Sequence, residues 1–555
     1  MSHRLSYDMK TCGSSNFISW QMAEKIHPSG IIRAFPFRKN RWHKYEKWIS
    51  GFLLLAIFIF ILSLIQFSTP NLVGNDGYYH IKMADLMRVE GLKPFFPWLP
   101  LTILNPGEFS DHHFLYHVFL MPFTIGDLIL GAKWASVLFA SIAFLSIWWL
   151  LRNQHIPFAG LWSLGLLAIS EAFIYRMSMP RAQSLSLAIL VLGLNFLLQK
   201  KFWYLLPLSF IYVWLYDAFP LMVVFAIIYI ISDWLIAGKL DIQPLVFVLI
   251  GVTLGLLINP YFPDNIVFGV RHLLPKLIGG ADIRIGNEWY PYETTQLLEN
   301  SPLGFLAFMS GVVALGLRSR RMDTRTASTL FLAIFFGLML FQSRRFIEYF
   351  PSFALIFTAM AWAPIISNLK AKSAVQPDID EVTQSQSSRS RNKWRRSFWM
   401  TGGVLAIIIF FGIWFTARDA RVNLQNTKPA ALYSQASDWL INNTPEGARI
   451  FQTDWDDFPR FFFHNTWNTY LIGLDPTYLE IKDPDLFEQW VEITHGREEF
   501  ASKIIYEKFA AEYVLSDLRH ERFIDRANED PGMVEIYQDG EAIIYRVHLS
   551  EEIMD

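Results

Sequence analysis

The chain has 555 residues, of which 52% are hydrophobic, 16% aromatic and only 18% charged. That is too apolar for an ordinary soluble protein of this length, so much of it must face lipid. A net charge of −2 gives no overall attraction to nucleic acid, which leaves the bilayer as the partner that composition implies.

Residues 1–47 form a basic arm; the first 48 residues hold nine Lys and Arg against three acids. The arm lacks the short apolar core and small-residue cleavage site of a removable signal, so the first span is expected to stay as an anchor. The lone cysteine, Cys12, falls in this arm, which excludes an intrachain disulfide and a cysteine-built zinc site.

Apolar segments near the length a bilayer needs, about 20 residues, occupy 48–67, 128–151, 156–173, 183–199, 218–237, 244–260, 301–317, 346–366 and 398–416. Two shorter ones, 202–216 and 328–342, read as spans inside a bundle, giving about eleven spans. The stretch 113–124, interrupted by Pro122, reads as amphipathic and lying on the surface.

Basic residues near span ends stay cytoplasmic. With the N-terminus inside, this count puts Arg152, Lys200 with Lys201, Lys239, the Arg318-Ser319-Arg320-Arg321 cluster and the linker 367–397 in the cytoplasm. Loops 68–127, 174–182 and 261–300, residues 343–345 and the C-terminal segment then share the outer side of a cell membrane. The Ser-, Gln- and Arg-rich part of the linker suits anionic headgroups.

The first outer loop carries Gly74-Asn75-Asp76-Gly77-Tyr78-Tyr79-His80, a carboxylate between two glycines. Glycine permits tight turns, which would bring the Asp76 oxygens close to a phosphate-bound metal or an acceptor hydroxyl. Asp111-His112-His113, followed by His117, either completes a metal site with Asp76 or caps the surface helix. Arg176, Arg181, Arg344 and Arg345 are outer-side cations at span ends, suited to forked contacts with phosphate, and could stand in for a metal. Arg344 and Arg345 equally suit headgroup anchoring or pairing with Glu348. Glu288, in Gly286-Asn287-Glu288-Trp289, is either a turn cap or a site residue. Asp454, Asp456 and Asp457 read as a helix start.

Beyond 417 the pattern is that of a soluble mixed α/β domain. Ser437-Asp438 opens a helix ending near Asn443, 448–453 and 513–515 read as strands, and Asp539-Gly540 joins 534–537 to 543–547 as a hairpin.

An odd span count, a first outer loop with Asp76-Gly77-Tyr78-Tyr79-His80, a later outer loop with Glu288 and an outer C-terminal domain together resemble the GT-C superfamily, in particular oligosaccharyltransferase catalytic subunits. The resemblance implies a polytopic α-helical membrane protein, 48–416, with a soluble α/β domain, 417–555. It implies transfer of sugar from a polyprenyl phosphate or diphosphate to a glycan, lipid or protein acceptor in the cell envelope. It also implies that Asp76 and Glu288 hold a divalent metal, Mg or Mn, and the acceptor, that arginines bind the donor phosphate, and that Tyr79, His80, Asp111, His112 and His113 support the site.

The chain departs from that family at Tyr175-Arg176-Met177-Ser178-Met179-Pro180-Arg181-Ala182-Gln183, where an arginine lacks the acidic pair that should follow. The tryptophan-rich acceptor motif survives only as Thr453-Asp454-Trp455-Asp456-Asp457-Phe458, so an asparagine sequon is not the implied acceptor. On general grounds Asp76 is the candidate base for the acceptor hydroxyl. A lipid-linked glycan transporter and a noncatalytic assembly protein are the competing classes. The transporter is disfavoured by polar groups gathered at one face and by the lack of an internal half repeat.

Overall fold

The computed structural model describes residues 39–273, 287–318, 321–374 and 381–548. Cys12, most of the basic arm, Gly286, Ser319, Arg320 and part of the linker 367–397 lie outside the described residues. The chain divides into units 1–50 and 51–555. The described residues of the first are the start of helix Lys39–Gln66; the second carries everything below.

Among the described residues six helical stretches are long and apolar enough to cross a bilayer: Lys47–Gln66, Leu128–Asn153, Pro220–Ala237, Thr324–Gln342, Phe350–Lys372 and Asn392–Gln425. Two bent pairs raise this to eight if each is one span. Glu171–Ser178 meets Gln183–Leu198 at 109°, and Thr294–Asn300 meets Pro302–Leu317 at 82°. Phe202–Leu215 and Gln243–Leu257 are shorter apolar helices where spans were expected. The stretch 156–173 is not one helix. Phe158 is left-handed, Gly165–Leu167 tightens to a 3-10 turn, and extended Ser170 caps the next helix by accepting from Phe173 N at 3.1 Å. Stretch 328–342 starts earlier, at Thr324, because Asp323 caps it through Thr326 N.

Segment 68–127 contains a helix that the sequence reading did not anticipate, Asp76–Glu90. Its two faces bury different partners. Tyr78 and Ile81 join the core of the helical bundle, whereas Tyr79 and Met83, one turn apart, join a cluster with Phe96, Trp98, Phe458, Phe462 and Ile450. Full burial of each such side chain is worth about 1.5–3 kcal/mol, so the helix is wedged rather than floating. The 113–124 stretch is helix Phe114–Leu120 followed by a 3-10 turn, Met121–Thr124, with Pro122 at the change.

The C-terminal region is built on five strands: β1 Arg449–Gln452, β2 Thr469–Tyr470, β3 Tyr513–Asp517, β4 Met533–Gln538 and β5 Ala542–Val547. Their order is β2-β1-β3-β5-β4, with β1 parallel to β2 and β3, and β5 antiparallel to β3 and β4. The β4–β5 hairpin forms at Asp539-Gly540 as expected, with Asp539 Oδ1 accepting from Glu541 N and Ala542 N. Strand alternation sends Ile450, Leu515 and Ile544 toward helix Asp76–Glu90. It sends Phe451, Val514 and Ile543 toward helices Pro484–Thr494, Ala501–Glu507 and Glu521–Glu529. The sheet therefore shares a core with helix Asp76–Glu90, which fixes where Asp76 sits.

Candidate active site

Asp76 is the first residue of its helix, behind left-handed Gly74 and Asn75. Gly77 does not make a turn; it lies inside the helix. A Cβ there would come within 2.2 Å of Pro180 Cγ. The missing side chain is what lets the helix press against the Met179-Pro180-Arg181 break in the bent span. Pro180, which lacks an N–H, suits that break.

This approach brings Arg181 Nε to 3.1 Å from Asp76 Oδ2, while Arg181 Nη1 donates to Glu288 Oε1 at 2.8 Å. Arg176 Nη2 donates to Glu288 Oε2 at 2.6 Å, and Arg176 Nε to Glu348 Oε1 at 2.8 Å. The hydrogen-bonded partner of Glu348 is thus Arg176 rather than Arg344 or Arg345. Burial works against a charged Glu288, but Arg176, Arg181 and Arg345 outweigh it and hold the carboxyl well below its usual range.

Segment 343–345 fixes the Glu288 turn. Ser343 Oγ donates to Glu288 O at 2.9 Å, and Arg344 N donates to Tyr290 O at 3.0 Å. Arg345 lies 5.0 Å over the Trp289 ring and donates to the Tyr216 hydroxyl. Arg344 instead donates to Pro291 O and lies over Tyr292.

Two cavities meet here. The first, about 390 Å³, has an apolar wall of Leu221, Val224, Phe335, Met339 and Phe346 and a polar end containing Asp76, His80, His112, His113, Arg181, Asp217 and Arg345. The second, about 580 Å³, is lined by Asn75, Asp76, Glu288, Lys428, Asp454, Asp456 and Arg460. Asp76, Arg181, Trp289, Arg345, Leu474 and Asp475 line both. Of the arginines singled out in the sequence, Arg181 and Arg345 face the cavities, Arg176 backs Glu288, and Arg344 lines neither.

Asp111 turns away from Asp76. Its Oδ1 accepts from His113 N at 3.0 Å, just before helix Phe114–Leu120, and its Oδ2 accepts from His117 Nδ1 at 2.7 Å. Tyr79 lines the first cavity and packs on Phe96, Phe462 and His117.

Sequence reading took Asp456 for part of a helix start and gave Asn75 and Arg460 no role. Asn75 Nδ2 donates to Asp456 Oδ2 at 2.8 Å, and buried Arg460 donates through Nε to Asn75 Oδ1 at 3.0 Å. Burial, then the charges of Asp76, Asp454 and Asp457, push the Asp456 carboxyl up to about 7. Asp454 and Asp457 do sit at the start of helix Phe458–His464, and with Asp517 their oxygens come within 4.8 Å of one another, close enough to share a cation. Arg519 lies among them, with Nη2 at 3.5 Å from Asp454 and 3.3 Å from Asp457.

No protein-family model matches the chain, and neither does any curated protein. Solved structures do. The oligosaccharyltransferase AglB from the archaeon Archaeoglobus fulgidus, in complex with an inhibitory peptide and a dolichol-phosphate, superposes with a TM-score of 0.60 at 13% identity, covering 93% of this chain and 75% of its own. ArnT from Cupriavidus metallidurans bound to undecaprenyl phosphate gives 0.51 at 13%, covering 90% and 98%. A variant of the mycobacterial arabinofuranosyltransferase AftD gives 0.51 at 13%, covering 90% and 42%. The chain is a multi-pass membrane protein with the GT-C fold of these glycosyltransferases.

Proposed function

We propose that the protein transfers a sugar from a polyprenyl phosphate or diphosphate to an acceptor hydroxyl at the outer face of the cell membrane. The observation that carries this is the position of Asp76, Arg181 and Arg345 at the junction of an apolar-walled cavity and a polar one. Support also comes from AglB and ArnT, whose structures hold polyprenyl-type phosphates in the same fold. Placing the site outside rests on the basic residues at the opposite span ends.

In this reading the prenyl tail lies along Leu221, Val224, Phe335 and Met339, and the phosphate meets Arg181 and Arg345. The acceptor enters through the polar cavity, and Asp76 takes its hydroxyl proton as the new bond to the sugar carbon forms. The old carbon–oxygen bond breaks with its electron pair left on the phosphate, where preorganised guanidinium groups stabilise the charge.

Asp76 and Glu288 do not fit a shared divalent ion, because the cation between them is the guanidinium of Arg181. Arg181 takes over the electrostatic role here, consistent with the missing acidic pair after Arg176.

The test compares lipid-linked sugars and envelope glycans, by mass spectrometry, in cells with wild-type protein, none, or Asp76→Asn at equal membrane level. Accumulated polyprenyl-linked sugar and a missing glycan in both defective strains are expected. Unchanged profiles would turn the assignment toward a noncatalytic assembly role.

A further inference from the structure

Three side chains beside the junction form a hydrogen-bonded file that the transfer step above does not use. Asp111 Oδ2 lies 2.7 Å from His117 Nδ1, and His117 Nε2 lies 2.8 Å from His80 Nδ1. All three are buried, and they come from two elements, helix Asp76–Glu90 and the 111–120 segment. His80 follows Asp76 by one helical turn, on the same face, and lines the first cavity but not the second.

The order of protons in the file follows from its carboxylate end. An ionised carboxylate only accepts, so His117 must carry its proton on Nδ1. With His117 neutral, its ring offers a lone pair at Nε2, to which His80 donates from Nδ1. That leaves His80 with an unprotonated Nε2, which makes no hydrogen bond to any described residue. Burial, first of all, holds the His80 ring well below its usual range, which favours its neutral form.

His80 lines a cavity, so this lone pair is open to a donor from a bound ligand. The cavity in question is the one with the apolar wall, so the group that reaches it belongs to the lipid-linked donor. We propose that Asp111 and His117 lock His80 as a hydrogen-bond acceptor for a hydroxyl of the donor sugar, held next to Asp76. His80 touches the substrate; His117 and Asp111 are positioning residues. The inference rests on the glycosyltransferase reading and adds to it a sugar-recognition element distinct from the phosphate-binding arginines.

Asp111→Asn tests it, because an amide NH₂ facing His117 Nδ1 reverses the file. His117 then donates from Nε2, and His80 presents an N–H to the sugar in place of a lone pair. Nitrogen NMR of histidine-labelled full-length protein in detergent reads the tautomer directly and needs no substrate. The expected result is Nδ1–H at His80 in the wild type and Nε2–H in the variant.

Binding is then measured with two probes: undecaprenyl phosphate alone, and the lipid-linked sugar recovered from Asp76→Asn cells. Asp111→Asn should weaken the sugar-bearing lipid about tenfold and leave the bare phosphate unchanged. If that variant does not fold, His80→Gln, which keeps an acceptor oxygen, should retain more sugar-lipid affinity than His80→Ala. Nε2–H at His80 in the wild type, a reversed tautomer with unaltered sugar-lipid binding, or equal weakening of both lipids would each overturn the proposal. Failure of Asp76→Asn cells to accumulate any lipid-linked sugar would instead overturn the glycosyltransferase reading, and with it the assignment of a sugar to His80.

Discussion

Arg181 Nε meets Asp76 Oδ2 at 3.1 Å across the gap between a helix start and the break of a bent span. The same guanidinium reaches Glu288, so one planar cation ties three chain segments together. Lysine keeps the charge but cannot hold both carboxylates and a phosphate at once. Arg181→Lys should therefore lower transfer about a hundredfold with little effect on the unfolding midpoint. Arg181→Met, which leaves Asp76 without this cation while Glu288 keeps Arg176, should destabilise by about 1–3 kcal/mol. Thermal unfolding in detergent, run beside the transfer assay, separates the two effects.

Chelation provides an independent check of the same geometry. With a guanidinium between the carboxylates, EDTA treatment of the purified protein should leave transfer within about twofold of its starting rate, since no ion has to be supplied to that pair. Loss of activity on EDTA with recovery on added Mg or Mn would show that Arg181 moves aside for a metal during turnover.

Gly77→Ala is favourable for an isolated helix by about 1 kcal/mol. In this protein it should be harmful, because the added methyl lands 2.2 Å from Pro180 Cγ. The helix must retreat from the span break, widening the Arg181 to Asp76 contact. The expected outcome is a stability loss of about 1–3 kcal/mol and a larger fall in transfer than that loss explains. An unchanged midpoint and full activity would mean that the close approach is not required.

These cases show where the chain was readable. Long apolar runs such as 128–151 and 218–237 announced their helices because length and hydropathy alone decide them, and the β4–β5 hairpin was announced by Asp539-Gly540. The 156–173 run misled because Phe158 and Ser170 break it through backbone conformation that apolar composition does not encode. Helix Asp76–Glu90 was hidden because its hydrophobic residues face two different cores, leaving no single apolar stripe. Asp76, Arg181 and Glu288 were singled out as candidates, since charges beside spans need a reason. Their mutual pairing was not, because it depends on Gly77 packing on Pro180. Asp456 was passed over for the opposite reason: an acidic residue before a helix has an ordinary explanation, which Asp457 satisfies.

Asp456 makes stability depend on pH in a definite direction. Its carboxyl is pushed up to about 7 in the folded protein, chiefly by burial and then by Asp76. Its unfolded value is about 3.9. Between these values the folded state keeps a proton that the unfolded chain has lost, so this group's contribution is full below about pH 4 and is lost as pH rises through about 7. Asp456→Asn should match the wild type near pH 4 and become the more stable protein above pH 7, by about 1–3 kcal/mol after allowing for partial exposure. Unfolding midpoints followed by tryptophan fluorescence across that range give the comparison. A constant difference at all pH values would show that Asp456 does not titrate there.

The neighbouring arginines 344 and 345 should separate sharply. Arg345 lines both cavities and stacks on Trp289, whereas Arg344 lines neither and bonds the backbone of the 290–291 loop. Headgroup anchoring would make the two interchangeable; phosphate binding would not. Arg345→Gln should lower transfer about a hundredfold or more, mainly through a charge lost where the leaving phosphate gains it, and Arg345→Lys should recover part of that loss. Arg344→Gln removes the exposed contacts to Pro291 O and the Tyr292 ring and should cost about threefold at most. Steady-state rates with the lipid-linked donor, at matched protein level in detergent, measure all three. Equal losses at 344 and 345 would mean that the segment acts as a clamp on the Glu288 turn, through Ser343 and the backbone, rather than through one guanidinium aimed at the donor.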